Sequence, residues 1–239
     1  MDKYYKPGEQ INGYFITEVV GEGRYGIAYL AEDHELKKYI IKQLKKNMVK
    51  KTKEKLFYEE VLLKKLDYPC FPKFIEKFDL PGVKGYILEY MEGQIFEDLL
   101  MDDNRHFTRK EIYEIAFNMI DIIAILQKNN MVHRDIRPPN VILTESNQLI
   151  LIDFGLARYI DNKKYGKEMD YWYLGDFLIH LYYTSYYLDE TQKERPWYEE
   201  LELTEKEKTF LKRLMGIQGI YTEIEEIKRD LKELEESFS

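Results

Sequence analysis

The fold is decided by an eight-residue stretch, His133-Arg134-Asp135-Ile136-Arg137-Pro138-Pro139-Asn140. Asp135 and Asn140 lie five residues apart in it, which supplies a proton acceptor and an amide carbonyl of the kind that binds metals. Asp153-Phe154-Gly155 follows 18 residues after Asp135. A carboxylate exposed at a glycine turn, directly after the apolar run Leu149 to Ile152, is a natural magnesium ligand. The two pieces, in this order and spacing, predict a metal-assisted catalytic site.

A glycine-rich segment lies further upstream, at Gly21-Glu22-Gly23-Arg24-Tyr25-Gly26. Strand-type sequence flanks it on both sides, in Tyr14 to Val20 and in Ile27 to Ala31. This context predicts a hairpin and excludes the dinucleotide-binding fingerprint, which needs a helix after the last glycine. Because glycine has no Cβ, backbone N–H groups of such a hairpin approach phosphates closely. Lys42 ends the next apolar strand, and Glu59 on the following helix is its candidate carboxylate partner.

Composition and charge exclude several classes of protein. The 239 residues carry 36 basic and 44 acidic side chains, for a net charge of −8, so no nucleic-acid partner is expected. Hydrophobic residues at 44% and charged residues at 33% exclude a disordered or collagen-like chain. Cys70 is the single cysteine, which favours a reducing compartment. With neither a signal peptide nor a membrane-spanning run in the sequence, we expect a cytoplasmic protein without a membrane partner.

The sequence predicts an α+β protein with two parts. Strand patterns dominate residues 1–90, and helical patterns dominate residues 94–239, with Glu92-Gly93-Gln94 at the joint. Capping boxes predict three helix starts, at Thr108-x-x-Glu111, Thr204-x-x-Glu207 and Thr222-x-x-Glu225. Trp172 to Tyr187 is apolar nearly all round, which predicts a buried helix.

In motif order the chain resembles the eukaryotic-type protein kinase family. The family's glycine-rich loop, strand lysine, helix glutamate, H-R-D-x-x-x-x-N and D-F-G are all present, and the resemblance spans about residues 12–185. It implies one domain over residues 1–239, with a β-rich N-lobe at 1–90, a hinge at 89–93 and a mostly helical C-lobe at 94–239. It also implies transfer of the ATP γ-phosphoryl group to a protein serine or threonine hydroxyl, its own chain included. Mg²⁺ is the implied metal, with Mn²⁺ as the alternative.

The resemblance assigns the nucleotide-binding residues. Lys42 would grip the α- and β-phosphates and pair with Glu59, although Glu60 is adjacent. The remaining residues would cover the phosphates or contact adenine, and they are Gly21, Gly23, Gly26, Ala28, Ile40, Glu89, Met91 and Ile142.

The resemblance also assigns the chemistry. Asp135 would take the proton of the acceptor hydroxyl, while Asn140 and Asp153 would hold Mg²⁺. Arg137 would neutralise the transferring phosphoryl group. Asp170 would brace the backbone of His133 and Arg134.

Two side-chain choices depart from the family pattern. Arg137 stands where serine/threonine-type members usually carry lysine, and it leaves a tyrosine acceptor open. Ala28 and Ile40 stand where Val and Ala are usual, so one side chain is smaller and the other larger. Their summed volume is roughly kept, and we expect ATP to fit a reshaped purine site.

The activation segment is the other departure. Asp153 and Asp170 are only 17 residues apart, and no A-P-E motif lies between them. A small-molecule acceptor and a catalytically silent scaffold therefore stay open, although the lysine, the base and the metal aspartate are all retained. Phe154 to Tyr183 contains no serine or threonine, so we hypothesise a kinase that is constitutively poised or switched by a partner.

Overall fold

The computed structural model describes residues 2–23, 26–47, 58–161, 163–186, 193 and 195–238. The chain divides into two units, Met1–Glu92 and Gly93–Ser239. The first is rich in strands and the second is mostly helical, as the sequence predicts.

An antiparallel sheet of six strands makes up most of the first unit. Its strands are β1 (Gln10–Ile11), β2 (Tyr14–Glu22), β3 (Gly26–Glu32), β4 (Lys38–Leu44), β5 (Phe74–Leu80) and β6 (Val83–Glu89). They lie in the order β1-β2-β3-β4-β6-β5. Helix α1 (Tyr58–Leu63) precedes β5. Gly82, at φ 84°, makes the tight turn between β5 and β6, a conformation that favours glycine.

Alternation along β3 and β4 separates two faces of this sheet. Ile27, Tyr29 and Ile41 point to one face and are buried in the hydrophobic core of the unit. Ala28, between Ile27 and Tyr29, and Lys42, directly after Ile41, point to the other face because successive strand residues alternate. Ala28 and Lys42 are direct cross-strand neighbours on that face, and both are half-buried.

The second unit combines short strands with longer helices. Its strands are β7 (Gln94–Ile95), β8 (Met131–Val132), β9 (Val141–Leu143), β10 (Leu149–Leu151) and β11 (Arg158–Tyr159). Its helices are α2 (Phe96–Met101), α3 (Arg109–Lys128), α4 (Met169–Tyr183), α5 (Trp197–Glu200), α6 (Glu205–Leu214) and α7 (Ile224–Phe238). Strands β9 and β10 form a buried hairpin, with β7 on the other side of β9. Strand β11 pairs with β8. No helix of the described chain is both long and apolar enough to cross a bilayer.

Two of the three predicted capping boxes form as the sequence indicates. Thr108 and Glu111 cap α3, and Thr204 and Glu207 cap α6, each with reciprocal bonds. The third is wrong: Glu226, not Glu225, accepts from the Glu223 amide at 3.2 Å and from the Thr222 hydroxyl at 2.9 Å. Because α7 begins at Ile224, it is Glu226 whose carboxylate folds back to the helix start.

Helix α4 departs from the prediction of a wholly buried helix. Most of its residues are buried, among them Leu174, Phe177 and Leu181. Trp172, however, is 44% exposed. A helix with apolar residues on all sides is therefore not buried on every side. Residues 187 to 192, where the predicted helix would end, lie outside the described residues.

Candidate active site

The glycine-rich segment forms the predicted hairpin between β2 and β3. Gly21 pairs with Ala28 across it, and the Gly23 amide donates to the Gly26 carbonyl at 2.9 Å. The residues at 24 and 25 lie outside the described part of the chain. A Cβ at Gly26 would lie 2.3 Å from the Gln43 carbonyl oxygen, whereas a Cβ at Gly21 or Gly23 would meet no atom within 4 Å. Packing of β3 on β4 thus requires Gly26, while the other two border open space.

Glu22, between Gly21 and Gly23, is bound by two side chains that the sequence analysis did not identify. The Tyr4 hydroxyl donates to its carboxylate at 3.0 Å, and the Lys45 ammonium forms an ion pair with it at 2.5 Å. The Lys45 hydrogen bond, followed by the Tyr4 hydrogen bond, lowers the pKa of Glu22. No local pattern signals the Tyr4 contact, since it joins residues 18 positions apart in sequence.

The ion pair expected between Lys42 and Glu59 is present. Lys42 Nζ lies 2.8 Å from Glu59 Oε1, and the Tyr86 hydroxyl donates to Glu59 Oε2. Strand register arranges the donors, because Lys42 is directly opposite Tyr86 on β6. Glu59 is 3% exposed, so its charge is compensated by these two donors away from bulk water.

The neighbouring Glu60 takes different partners. Its carboxylate binds Lys64 at 2.6 Å and lies 3.7 Å from Lys77. Both of these lysines are more than half exposed, in contrast to Lys42. The two adjacent glutamates of α1 are thereby distinguished by geometry, and Glu59 is the one that the sequence singled out.

The segment predicted to contact adenine ends the first unit. Glu89 closes β6, where its amide donates to the Lys73 carbonyl at 2.9 Å and its carboxylate accepts from the Lys73 amide at 3.2 Å. The Met91 backbone makes no hydrogen bond with the described residues. Its N–H and C=O are therefore available to a ligand.

In the second unit, the Asp135 carboxylate is held by two side chains of its own loop. Arg137 Nε lies 3.0 Å from Oδ1, and Asn140 Nδ2 donates to Oδ2 at 2.7 Å. The same amide nitrogen donates to the Asp135 carbonyl at 2.9 Å. The side chain of Asp135 is 15% exposed and that of Arg137 is 55% exposed. The carboxylate thus keeps a fixed orientation and limited access to solvent.

A buried carboxylate of α4 fixes the backbone just before Asp135. Asp170 accepts from the His133 amide at 2.8 Å and from the Arg134 amide at 2.7 Å, the bracing that the resemblance implied. Arg134 adopts φ 67°, which is uncommon for a residue with a side chain. Burial raises the pKa of Asp170 from 3.8 to about 6, although the two amide donors act in the opposite direction.

Backbone hydrogen bonds join the two motifs of this unit. The Ile152 amide donates to the Asn140 carbonyl at 2.9 Å, and a His133 ring nitrogen lies 3.1 Å from the Ile152 carbonyl. Asp153 follows in the left-handed region at φ 64°, with its carboxylate accepting from the Gly155 amide. A left-handed non-glycine residue is held only where its surroundings impose it. Asn140 and Asp153 are therefore placed on adjoining, hydrogen-bonded backbone.

Ile142 lies on the hairpin between these motifs. It pairs with Ile150 on β10 and with Ile95 on β7, and it is 6% exposed. Its position is set by the central strand of a three-stranded sheet.

Arg134 has a partner that the sequence did not reveal. Its guanidinium carbon lies 4.5 Å from the centre of the Tyr165 ring, and Nη1 donates to the Leu156 carbonyl at 3.0 Å. Asp161 Oδ1 accepts backbone N–H groups of Lys163, Lys164 and Tyr165, which fixes the turn that presents the ring. A hydrogen bond from Lys164, together with the charges of Lys164, Arg134 and Arg158, lowers the pKa of Tyr165.

Comparison with known proteins agrees with this arrangement. Residues 14–164 match the model of the protein kinase domain. A protein of Bacillus subtilis (strain 168) described as "Probable serine/threonine-protein kinase YbdM" is 36% identical over 239 residues, covering 96% of this chain and 93% of that protein. Calcium-dependent protein kinase 4 of Plasmodium falciparum is 31% identical, covering 67% of this chain and 31% of its own length. A titin homolog of Caenorhabditis elegans is 29% identical over 69% of this chain and 1% of its own length.

The family match covers well over half of the chain, and the Bacillus relative is similar over nearly all of it. The predicted family and the predicted α+β kinase fold are confirmed. This chain belongs to the eukaryotic-type protein kinase family, and it is an ATP-dependent protein kinase.

Proposed function

We propose that this chain, acting as one domain over residues 1–239, transfers the γ-phosphoryl group of ATP to a serine or threonine hydroxyl of a protein. The observation that carries the proposal is the Asp135 carboxylate, oriented by Arg137 and Asn140 on a loop that Asp170 fixes. A carboxylate held in this way is equipped to accept the proton of an acceptor hydroxyl as that oxygen attacks.

Arg137 acts next to this base in the proposal. Its Nε binds Asp135 Oδ1, which leaves the terminal N–H groups of a half-exposed guanidinium for another anion. The planar guanidinium suits a phosphoryl group, to which it donates two parallel hydrogen bonds. Arg137 would thereby stabilise negative charge that develops during transfer.

The phosphate-handling residues of the first unit are Lys42 and the glycine hairpin. Glu59 and Tyr86 keep the Lys42 ammonium in one position, so that it meets the α- and β-phosphates without reorganising. Gly21 and Gly23 border open space, which lets their backbone approach the phosphates. Gly26 takes part through the turn that it closes with Gly23.

Asn140 and Asp153 would hold the divalent metal, for which we propose Mg²⁺, with Mn²⁺ as a substitute. The Asn140 amide nitrogen donates to Asp135, which leaves the amide oxygen for a cation. The described chain has no group of three or more His, Cys, Asp or Glu side chains that would hold a metal alone. This agrees with Mg²⁺, which is often bound by one or two side-chain oxygens together with phosphates and water. When bound, the metal neutralises phosphate charge.

The adenine-binding residues are proposed to act mainly through shape. Ala28 and Ile40 line the half-buried face of the β3–β4 pair, and Ile142 is set by its own sheet. Glu89 and Met91 would contribute backbone groups that hydrogen-bond the base.

Serine or threonine is the proposed acceptor because the Bacillus relative, which this chain matches over 93% of that protein's length, is described as a probable serine/threonine kinase. Tyrosine is the alternative that Arg137 leaves open. The short segment from Asp153 to Asp170 is the observation that favours a small-molecule acceptor or a silent scaffold. Cytoplasmic location and the lack of nucleic-acid and membrane partners stay predictions.

Mass spectrometry of the purified chain after incubation with Mg·ATP tests the proposal. The matched control is Asp135→Asn, incubated in the same way. New phosphate on serine or threonine of the wild type alone is the expected result, and phosphate on tyrosine alone would overturn the acceptor class. Repeating the reaction with Mn²⁺ and without a divalent metal tests the cofactor.

If neither protein gains phosphate, the self-phosphorylation part of the proposal is wrong. The same two proteins are then offered general protein acceptors and small hydroxyl metabolites with radiolabelled ATP. Transfer to metabolites alone would establish a small-molecule kinase. If the wild type neither binds ATP nor transfers phosphate to any of these acceptors, the chain is a scaffold.

A further inference from the structure

An apolar cavity of about 380 Å³ lies on the surface of the second unit, between the start of α4 and the end of α6. Its walls include Met169, Trp172, Tyr173, Met215, Ile220 and Tyr221. Trp172 and Ile220 are 44% and 57% exposed. Its volume is in the range of sites that bury a compact apolar group. Large apolar side chains left open around a concavity are typical of a surface that binds something.

Part of the cavity wall is the first turn of α4, which holds the catalytic loop through Asp170. Met169 and Tyr171, which both line the cavity, flank Asp170, which binds the His133 and Arg134 amides. Tyr173 lies one residue beyond Trp172. Burial raises the pKa of Tyr173, and the Asp135 carboxylate raises it further.

The charge at the polar rim is negative on balance. Arg213 is the cation that lines the cavity, and it is compensated because it binds Glu226 and Asp230. Glu168 also lines the cavity; it is exposed and forms no ion pair with the described residues. An acidic group at the edge of an apolar cavity favours a partner with a basic residue beside an apolar one.

We propose that this cavity binds a large apolar side chain of the acceptor protein, with a basic residue of the same segment facing Glu168. The proposal rests on the proposed function, since it concerns the choice of acceptor by that active site. An acceptor segment suits the cavity better than a free ligand because the neighbours of Asp170 line the cavity, and Asp170 binds the loop that carries Asp135. Asp153 and Asp170 are only 17 residues apart and no A-P-E motif lies between them, so in this proposal α4 and the end of α6 supply acceptor contacts.

A positional library of peptides, each with a central serine or threonine, is the probe. With Mg·ATP, the wild type should prefer Leu, Met, Phe or Trp at one fixed distance from the acceptor, with Lys or Arg close by. The best peptide is then compared with a version carrying alanine at the apolar position. An apolar side chain placed in a matching pocket is worth about tenfold to a hundredfold in kcat/KM.

Ile220 and Ile217 provide a matched pair of variants. They lie on the same loop and are 57% and 54% exposed, but Ile220 lines the cavity and Ile217 does not. Ile220→Asp should lower kcat/KM for the apolar peptide about tenfold or more and leave the alanine peptide unchanged. Ile217→Asp should change neither. Trp172→Ala is the second variant, and melting curves check that each protein is folded.

Equal effects of Ile220→Asp and Ile217→Asp would overturn the inference, as would transfer without any apolar preference. Fluorescence anisotropy of the labelled apolar peptide gives a readout that needs no catalysis, and unchanged binding by Ile220→Asp would also overturn it. In both cases the wild type still transfers phosphate, so the proposed function stands. Absence of transfer to any protein or peptide would instead overturn the proposed function and this inference with it.

Discussion

The two units hold their functional side chains by different means. In the first, Lys42 is placed by strand register and by an ion pair with the buried Glu59. In the second, Asp135 is placed by a loop whose amides are bound by Asp170 from a distant helix. A sheet positions a side chain through many weak, shared bonds, whereas a pinned loop depends on a few strong ones. We therefore expect single substitutions to disturb the second arrangement more widely than the first.

The largest effect is expected for Asp135→Asn. Removing a general base costs about a hundredfold to ten-thousandfold in rate, while Asn keeps the size of the side chain and one of its two acceptor oxygens. Steady-state kinetics should show this loss in kcat, with ATP affinity by calorimetry unchanged. Near-full transfer by the variant would show that Asp135 is not the base.

Lys42→Met should lower transfer about a hundredfold or more, because it removes a preorganised cation from the phosphates. The matched control is Lys64→Met, which removes the partner of the adjacent Glu60. Lys64 is more than half exposed and Glu60 keeps Lys77 at 3.7 Å, so transfer should stay within about twofold of the wild type. Similar losses in both variants would mean that the lysines support helix α1 and not the phosphates.

Asp170→Asn tests whether activity depends on the two hydrogen bonds that hold the loop before Asp135. Asparagine has one acceptor oxygen for two amide donors, so the loop should shift and kcat should fall about tenfold to a hundredfold. Asp176→Asn, on the same helix, is the control and should leave kcat unchanged.

The same variant carries a pH signature. Because folding raises the pKa of Asp170 from 3.8 to about 6, the folded protein binds an extra proton in that range. The stability from this proton is fully present below about pH 4 and is lost as pH rises through about 6. In denaturant titrations at several pH values, the free energy of unfolding of the wild type should fall by about 2 to 3 kcal/mol relative to that of Asp170→Asn across this window. Parallel curves for the two proteins would contradict the raised pKa.

The smallest effect is expected at Tyr165. Its ring faces the Arg134 guanidinium, so Tyr165→Phe should keep full activity, and Tyr165→Ala should lose about twofold to fivefold. Initial rates with one acceptor measure both. A phosphate on Tyr165 that raises activity, together with a loss in Tyr165→Phe, would contradict a constitutively poised kinase.

Short, local patterns made much of this molecule predictable. The glycine hairpin, the β9–β10 hairpin and the caps at Thr108 and Thr204 depend on residues close together in sequence, and all four are found. The pair of Lys42 with Glu59 was reached by counting along a strand and a helix. The family and its fold follow from the order of such motifs.

Contacts between distant residues were beyond the sequence. Nothing near Tyr4 indicates that it binds Glu22, and nothing near Tyr165 indicates that it covers Arg134. Trp172 was expected in a buried helix because apolar character does not distinguish a core from the wall of an open cavity. At the third cap, the choice between Glu225 and Glu226 depended on where α7 begins.

The contact between Arg134 and Tyr165 has a consequence for how the cell would control this enzyme. A ring that belongs to the chain reaches its arginine as soon as the polypeptide has folded, without help from an upstream enzyme. Every folded molecule of this protein would then be catalytically active. For a constitutively poised kinase, control would pass from signalling to the amount of protein, that is, to transcription, translation and proteolysis.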